Sequence, residues 1–148
     1  MIEPPHGTLL WSAIEAFSDT WPPDNEETAQ ELARQIREFL KTADTGRASI
    51  HNVEGRIQGS WKDPAGDTMA DKLAGTTNSW GRVAELLGAQ AGLVEGYAAK
   101  LIRVKTAIRD TVVSREPEFE ALASSNVQQA AELAAALALE FKSMIDSA

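Results

Sequence analysis

The chain has 148 residues, of which 43% are hydrophobic, and this length and composition suit one folded domain with a buried core. Its formal charge of −8 argues against nucleic acid as a partner, because phosphate binding needs clustered Lys and Arg. The absence of cysteine excludes disulfides and thiolate sites. We predict no transmembrane segment, since no apolar run could span a bilayer, and no signal peptide, since the first residues lack its basic and apolar regions.

A short leading helix is predicted from about Thr8 to Asp19. Its apolar residues recur at helical spacing: Leu10, Trp11, Ile14 and Phe17. The segment Trp21-Pro22-Pro23 ends this helix, because a residue before proline avoids the α conformation. Asp24 with Glu27 then matches a capping box, so a second helix is predicted to begin at about Asp24.

The second helix is predicted to run to Arg56 or Gln58. Its apolar and small positions alternate three and four residues apart: Leu32, Ile36, Phe39, Ala43, Gly46, Ile50, Val53 and Ile57. This spacing is typical of a coiled-coil-like stripe, which buries its side chains against other helices.

A bend follows, around Trp61. Gly59 can end the helix in the left-handed conformation, Asp63 can cap the next helix, and Pro64 suits its first position. Two interpretations of Trp61 remain open, a core residue that closes the bend or a recognition residue, and we expect its indole to be partly exposed. The bend motif is therefore predicted to comprise Trp61, Asp63, Pro64 and Gly66.

The third helix is predicted from Pro64 to about Val113, because the three–four alternation continues through it. The stripe on this helix comprises Met69, Leu73, Thr76, Trp80, Val83, Leu87, Val94, Tyr97, Leu101, Val104 and Ile108. Gly88, Gly92 and Gly96 lie four residues apart on one ridge of this helix. Each glycine costs a helix about 1 kcal/mol relative to alanine, so the ridge predicts close approach of another helix, within the bundle or between chains. The alternative is a kinked or frayed segment.

A last break is predicted at Ser114–Pro117, since Pro117 suits the first turn of a new helix that ends at about Met144. No strand or hairpin pattern occurs. The chain is therefore predicted to be all-α, a single domain over residues 1–148. The expected architecture is an elongated helical bundle built on a long antiparallel hairpin, with a short leading helix and a C-terminal helix.

Residues that could carry catalysis are sparse. His6 and His51 are the two histidines, and His51 with Glu54 forms one pair on a helix face. A dimetal bundle needs Glu-x-x-His supplied twice, and no phosphate loop, nucleophile elbow or HExxH motif occurs. We therefore predict a protein that is not an enzyme and that has no catalytic residue, metal or cofactor.

Two long helices joined at a tryptophan bend resemble the WXG family of type VII secretion substrates. More specifically, the chain resembles the WXG-like N-terminal domain of actinobacterial polymorphic toxins, from about Leu9 to Ala138. The residues that carry the resemblance are the Trp-Pro acidic segment with Trp21, Pro22 and Asp24, and the bend Trp61-Lys62-Asp63. The chain departs from the family pattern at two places, because Asp63 stands where W-x-G has glycine and Leu101 stands where an acidic residue should follow Tyr97.

The resemblance implies a non-catalytic module that pairs with another WXG-like helical protein or with itself and engages the type VII secretion machinery. It also implies a cytoplasmic protein that is then secreted, or held at the cell envelope, by a route without a signal peptide. The family's export tag is a tyrosine four residues before Asp or Glu, which Tyr97 and Leu101 do not match. The resemblance implies that this tag lies on a partner or on another segment. The alternative is a self-associating helical scaffold or adaptor unrelated to secretion.

Overall fold

A computed structural model describes all residues 1–148 and contains four helices and no strand: α1 Leu9–Glu15, α2 Glu26–Ser60, α3 Pro64–Ser125 and α4 Val127–Asp146. The predicted all-α fold, with two long helices between a leading and a C-terminal helix, is confirmed. The backbone contacts fall into two compact units. We call Met1–Ala29 with Gly96–Ala148 the core unit, and Gln30–Glu95 the hairpin unit. The prediction of a single domain stays a prediction.

The core unit contains the large buried side chains of this protein. Its α1 packs on α4, and both contribute with the C-terminal part of α3 to one apolar cluster. The alanine-rich centre of α4 lets the helices approach closely, while aromatic and branched residues fill the remaining space. The cluster comprises Leu10, Trp11, Ile14, Ile108, Val112, Phe119, Ala130, Ala134, Leu137, Ala138 and Phe141.

Helix α1 ends earlier than predicted, and α2 is capped by a residue other than the predicted one. The hydroxyl of Thr8 caps α1 by accepting a hydrogen bond from the Trp11 amide, but α1 ends at Glu15 rather than at Asp19. Phe17 is exposed, so a longer helix would bury no further apolar surface. The cap of α2 is Asn25 rather than Asp24, because the Asn25 side chain accepts from the amides of Glu27 and Thr28.

The predicted break at Pro117 is wrong, because α3 continues through this proline to Ser125. A proline inside a helix removes one hydrogen bond and costs about 3 kcal/mol. Here Val112 and Phe119, on either side of Pro117, are both buried in the cluster, and each such side chain contributes about 1.5–3 kcal/mol. Continuing the helix keeps both buried. The break instead follows Ser125, where the side chain of Asn126 caps α4.

The left-handed cap predicted at Gly59 is also wrong. Helix α2 runs to Ser60, and the only residue with positive φ is Gly7, in the segment before α1. The amide of Trp61 still donates to the carbonyl of Ile57, at 2.8 Å, so the last turn closes on the tryptophan itself. Because this pattern needs only ordinary helical angles, glycine is not required at position 59.

Within the hairpin unit the two helices run antiparallel. Arg37 makes two hydrogen bonds to the Glu95 carboxylate, at 2.9 and 3.0 Å. Further along, Leu40 lies 3.9 Å from a Cβ placed on Gly88, and the Arg47 guanidinium lies 3.3 Å from a Cβ placed on Gly81. As residue numbers rise along α2, the residue numbers of their partners on α3 decrease, as expected for an antiparallel pair.

Candidate interaction surface

The bend between α2 and α3 has the local chemistry that the sequence predicts. Pro64 is the first residue of α3, and the Asp63 carboxylate accepts a hydrogen bond from the Gly66 amide at 2.9 Å. That bond lowers the pKa of the Asp63 carboxyl, because it favours the charged form. Asp63, at the third position of the tryptophan motif, therefore caps α3 with its side chain. The glycine of W-x-G has no side chain and could not form this cap.

Trp61 packs on Gly66 and keeps part of its indole in solvent. A Cβ on Gly66 would lie 2.8 Å from the Trp61 ring and closer still to the Trp61 carbonyl oxygen. Trp61 is 43% exposed, as expected for a residue that is partly packed and partly free. Sequence reasoning placed Gly66 in the motif but missed this contact, because nothing in the local pattern shows that the chain folds back on itself there.

The residues that the hairpin unit buries completely all have small side chains, whereas larger apolar residues such as Ile36, Leu40 and Leu73 are half-buried. The completely buried residues are Ala33, Gly66, Ala70, Thr77 and Ala91. Small residues let two helix backbones approach closely, but they bury little apolar surface. The hairpin unit therefore has no large buried side chain of its own.

Large apolar side chains of the same unit point to solvent instead. Trp80 and Val83 are exposed, and Leu86 and Leu93 are each 68% exposed. The full set of exposed large apolar residues in this unit is Leu32, Phe39, Val53, Trp61, Met69, Trp80, Val83, Leu86 and Leu93. Exposed apolar side chains concentrated in this way are typical of surfaces that bind another molecule.

An open groove of about 980 Å³ lies on the hairpin unit. Its apolar lining comprises Phe39 on α2, and Trp80, Val83 and Leu87 on α3. On α3 these residues are three and four apart, as in the predicted stripe. The sequence therefore contained the signal for the groove. The stripe alone could not show that it stays uncovered in this unit, because helical periodicity identifies an apolar face and not what packs against it.

The glycine ridge is open within this chain. A Cβ on Gly88 would meet Leu40 at ordinary contact distance, whereas a Cβ on Gly92 or Gly96 would meet no atom within 4 Å. Of the three ridge glycines, only Gly88 therefore contacts another helix of the same molecule. The role of the ridge in contacts with another chain stays a prediction.

In the core unit, the Trp-Pro segment lies beside a polar cluster with a buried ion pair at its centre. Lys105 and Glu26 are 2% and 3% exposed, and the Lys105 ammonium donates to the Glu26 carboxylate and to the Asp24 carbonyl, at 2.7 Å each. The ammonium also lies 5.7 Å from the centre of the Trp21 ring, within reach of a cation–π interaction. Trp21 in turn meets Trp11 edge to face, with 5.8 Å between ring centroids.

Hydrogen bonds in this cluster shift two pKa values. Burial acts to raise the pKa of Glu26, but hydrogen bonds from Lys105 and from the Ile2 amide outweigh it and lower the pKa to about 2. The Tyr97 hydroxyl donates to the Asp24 carboxylate, which raises the pKa of Tyr97. Pro22 is buried and Trp21 packs against the apolar cluster, whereas the Asp24 side chain is exposed.

Sequence reasoning missed the roles of Lys105 and Glu26 in this cluster. A signal was present, since Lys105 lies four residues after Leu101 and three before Ile108, on the face that α3 buries. A lysine at a buried position needs an anion nearby. Glu26 could be explained by the helix dipole alone, so nothing in the sequence paired the two.

Neither a metal site nor a membrane span emerges from the described chain. No group of three or more His, Asp or Glu side chains is placed to hold a metal ion, and the His51 imidazole lies 3.4 Å from Glu54 alone. None of the four helices combines the length and the apolar character that crossing a membrane requires.

Comparison with known proteins gives one family. The family model described as a WXG100-like domain matches residues 1–144, nearly the whole chain. Searches of curated proteins and of solved structures gave no match.

Proposed function

Because the chain belongs to the WXG100-like domain family, we propose that it is a non-catalytic helical domain that pairs with a protein partner in type VII secretion. The observation that carries the pairing role is the hairpin unit, which buries no large side chain completely and exposes nine large apolar ones. Helices with such faces gain stability by burying them on another protein. Membership in the family relates this pairing to type VII secretion.

The partner in this proposal is another WXG-like helical protein or a second copy of the chain. The tyrosine export tag would lie on the partner or on another segment, since Tyr97 is followed four residues later by Leu101. Leu101 is buried in the core unit, and the Tyr97 hydroxyl is bonded to Asp24. In this role the domain is the N-terminal module of a toxin or one member of a helical complex, exported without a signal peptide from the cytoplasm.

The glycine ridge is proposed as a second contact for a partner helix. Gly92→Leu should stabilise the free chain, because leucine is the better helix former by about 1 kcal/mol and a Cβ at this position meets no atom within 4 Å. The same change should weaken pairing by steric bulk. A variant that is more stable and pairs as well as the wild type would contradict the proposal for the ridge.

Export tests the secretion role directly. The domain would be expressed with its neighbouring genes in an actinobacterial host, and the culture filtrate compared between the parent strain and a strain lacking the type VII ATPase. Export is expected only from the parent. Equal export from both strains would refute the secretion role and favour the scaffold.

A pair of variants tests whether export depends on the groove of the hairpin unit. Val83→Lys places a charge in the groove, whereas Val113→Lys places one at an exposed valine of the core unit that lies outside it. Only the first is expected to reduce partner capture and export together, provided that both variants show wild-type helicity. Equal effects of the two variants would show that the groove is not the surface that binds the partner.

A further inference from the structure

The groove on the hairpin unit combines an apolar floor with positive charge at its edge. Phe39, Trp80, Val83 and Leu87 supply the apolar surface, and Lys72 and Arg82 are the charged residues that line it. No carboxylate lines the groove. This is notable in a chain whose formal charge is −8.

The two cations at the groove have no anionic partner in the chain. Neither Lys72 nor Arg82 takes part in a salt bridge, and Arg82 has only a 3.5 Å contact with the Ser79 hydroxyl. By contrast, Arg37 in the same unit is paired with Glu95 across the helices. The positive edge is therefore available for an external anion.

Charge is distributed unevenly between the two units. The hairpin unit has eight Lys and Arg against nine Asp and Glu, a net charge of −1. The core unit has six against thirteen, a net charge of −7. The uncovered apolar surface thus lies in the unit where an approaching acidic helix meets the least repulsion.

We propose that this groove binds one amphipathic helix of a different protein, whose apolar stripe is flanked by Asp or Glu, in preference to a second copy of this chain. The inference rests on the proposed pairing function and specifies the partner. A second copy docked groove to groove would set Lys72 and Arg82 against cations of its own groove, with no carboxylate among the lining residues to neutralise them. An acidic-flanked helix satisfies both the apolar floor and the cations.

Two synthetic helical peptides of equal length test the proposal. Both have leucine at heptad positions a and d, with glutamate at e and g in one peptide and lysine in the other. Binding of each labelled peptide to the full chain would be measured by fluorescence anisotropy at low ionic strength, where screening is weak. The glutamate peptide is expected to bind about tenfold more tightly, the effect of two partly exposed ion pairs.

Charge reversal identifies the residues responsible. The double variant Lys72→Glu/Arg82→Glu should reverse the preference, so that the lysine peptide binds more tightly. The matched control is Lys41→Glu/Arg56→Glu, which makes the same change in net charge at two hairpin cations that neither line the groove nor form salt bridges. The control is expected to keep the preference for the glutamate peptide, and circular dichroism would verify that both variants fold.

Each other result overturns the inference. Equal binding of the two peptides, binding of neither, or reversal by the control variant would show that the groove cations do not select the partner. Light scattering on the free chain gives an independent check, and a dimer lost in Val83→Lys would mean that a second copy occupies the groove. In that case the pairing function stands and the acidic partner fails. If the groove prefers the glutamate peptide but export does not need the type VII ATPase, the acidic partner stands and the secretion role fails.

Discussion

At Gly66 the bend has no room for a side chain. A Cβ there would collide with the carbonyl oxygen and the ring of Trp61. Backbone atoms cannot move aside as a flexible side chain can, so alanine would force the turn between α2 and α3 to open.

Gly66→Ala should therefore lower the free energy of unfolding by about 1–3 kcal/mol, the range for overpacking a tight site. The matched control is Gly55→Ala, within α2, where a Cβ meets nothing within 4 Å and alanine should add up to about 1 kcal/mol. Urea unfolding of both variants measures the difference. Stabilisation by alanine at both positions would show that the Trp61 contact does not constrain the bend.

Glu26 is a second residue whose surroundings have a measurable effect, because they lower the pKa of its carboxyl group. Its pKa is about 2 in the folded chain, against an ordinary value of 4.5. Because the folded pKa is the lower one, the unfolded chain binds the proton more readily, so the stabilisation is complete above about pH 4.5 and is lost as the pH falls towards 2.

We expect the free energy of unfolding to fall between pH 5 and pH 2 by no more than about 3 kcal/mol through this group. Glu26→Gln should be less stable at pH 7, because Lys105 loses its buried anion, and should show a flatter decline over that range. The exposed pair provides the control, since Glu38→Gln removes a partner of Arg34 in solvent and should change little. If the free energy of unfolding falls in parallel with pH for wild type and Glu26→Gln, protonation of Glu26 does not cause the decline.

At the scale of the element, α3 shows tertiary packing overriding a local signal. Pro117 is a strong helix breaker, yet the helix passes through it to keep Val112 and Phe119 in one core. The continuous helix also carries Glu116 to the start of α1, where its carboxylate accepts hydrogen bonds from the amides of Leu9 and Leu10, at 2.8 and 2.9 Å. A carboxylate there satisfies amides that the first turn of α1 leaves free.

Pro117→Ala is expected to stabilise the protein, by up to about 3 kcal/mol, because it restores an amide donor inside an existing helix. Pro64→Ala is the control, since Pro64 occupies the first helical position, where a missing amide costs nothing. Thermal unfolding followed by circular dichroism would compare the two. Destabilisation by Pro117→Ala would indicate that the helix is interrupted at this residue after all.

At the scale of the whole molecule, the apolar stripe of α3 differs in solvent exposure between the two units. In the core unit its residues Leu101 and Ile108 are buried, and Ile108 belongs to the apolar cluster. In the hairpin unit the equivalent residues Met69, Trp80 and Val83 remain exposed. The periodicity is the same in both units, so the difference comes from the cover that α1 and α4 provide in the core unit.

Hydrogen exchange should reveal this difference in the free protein. Amides of the buried core segments, residues 101–119 and 130–141, should exchange more slowly than those of the hairpin unit, because local opening is cheapest where few apolar contacts are lost. Binding of the proposed partner should slow exchange in the hairpin unit selectively. Uniform protection over both units in the free chain would contradict the absence of a large core in the hairpin.

The sequence by itself determined the all-α class, the order of four helices, the turn chemistry at Asp63 and Pro64 and the apolar stripe. These features depend on residues close together in the chain, where capping, propensity and periodicity act. Tertiary structure alone decided that α3 passes through Pro117, that Asp24 bonds Tyr97 while Asn25 caps α2, and that Lys105 pairs with Glu26. It also decided which part of the stripe stays open. Each depends on contacts between residues far apart in sequence, whose energies can exceed any local preference.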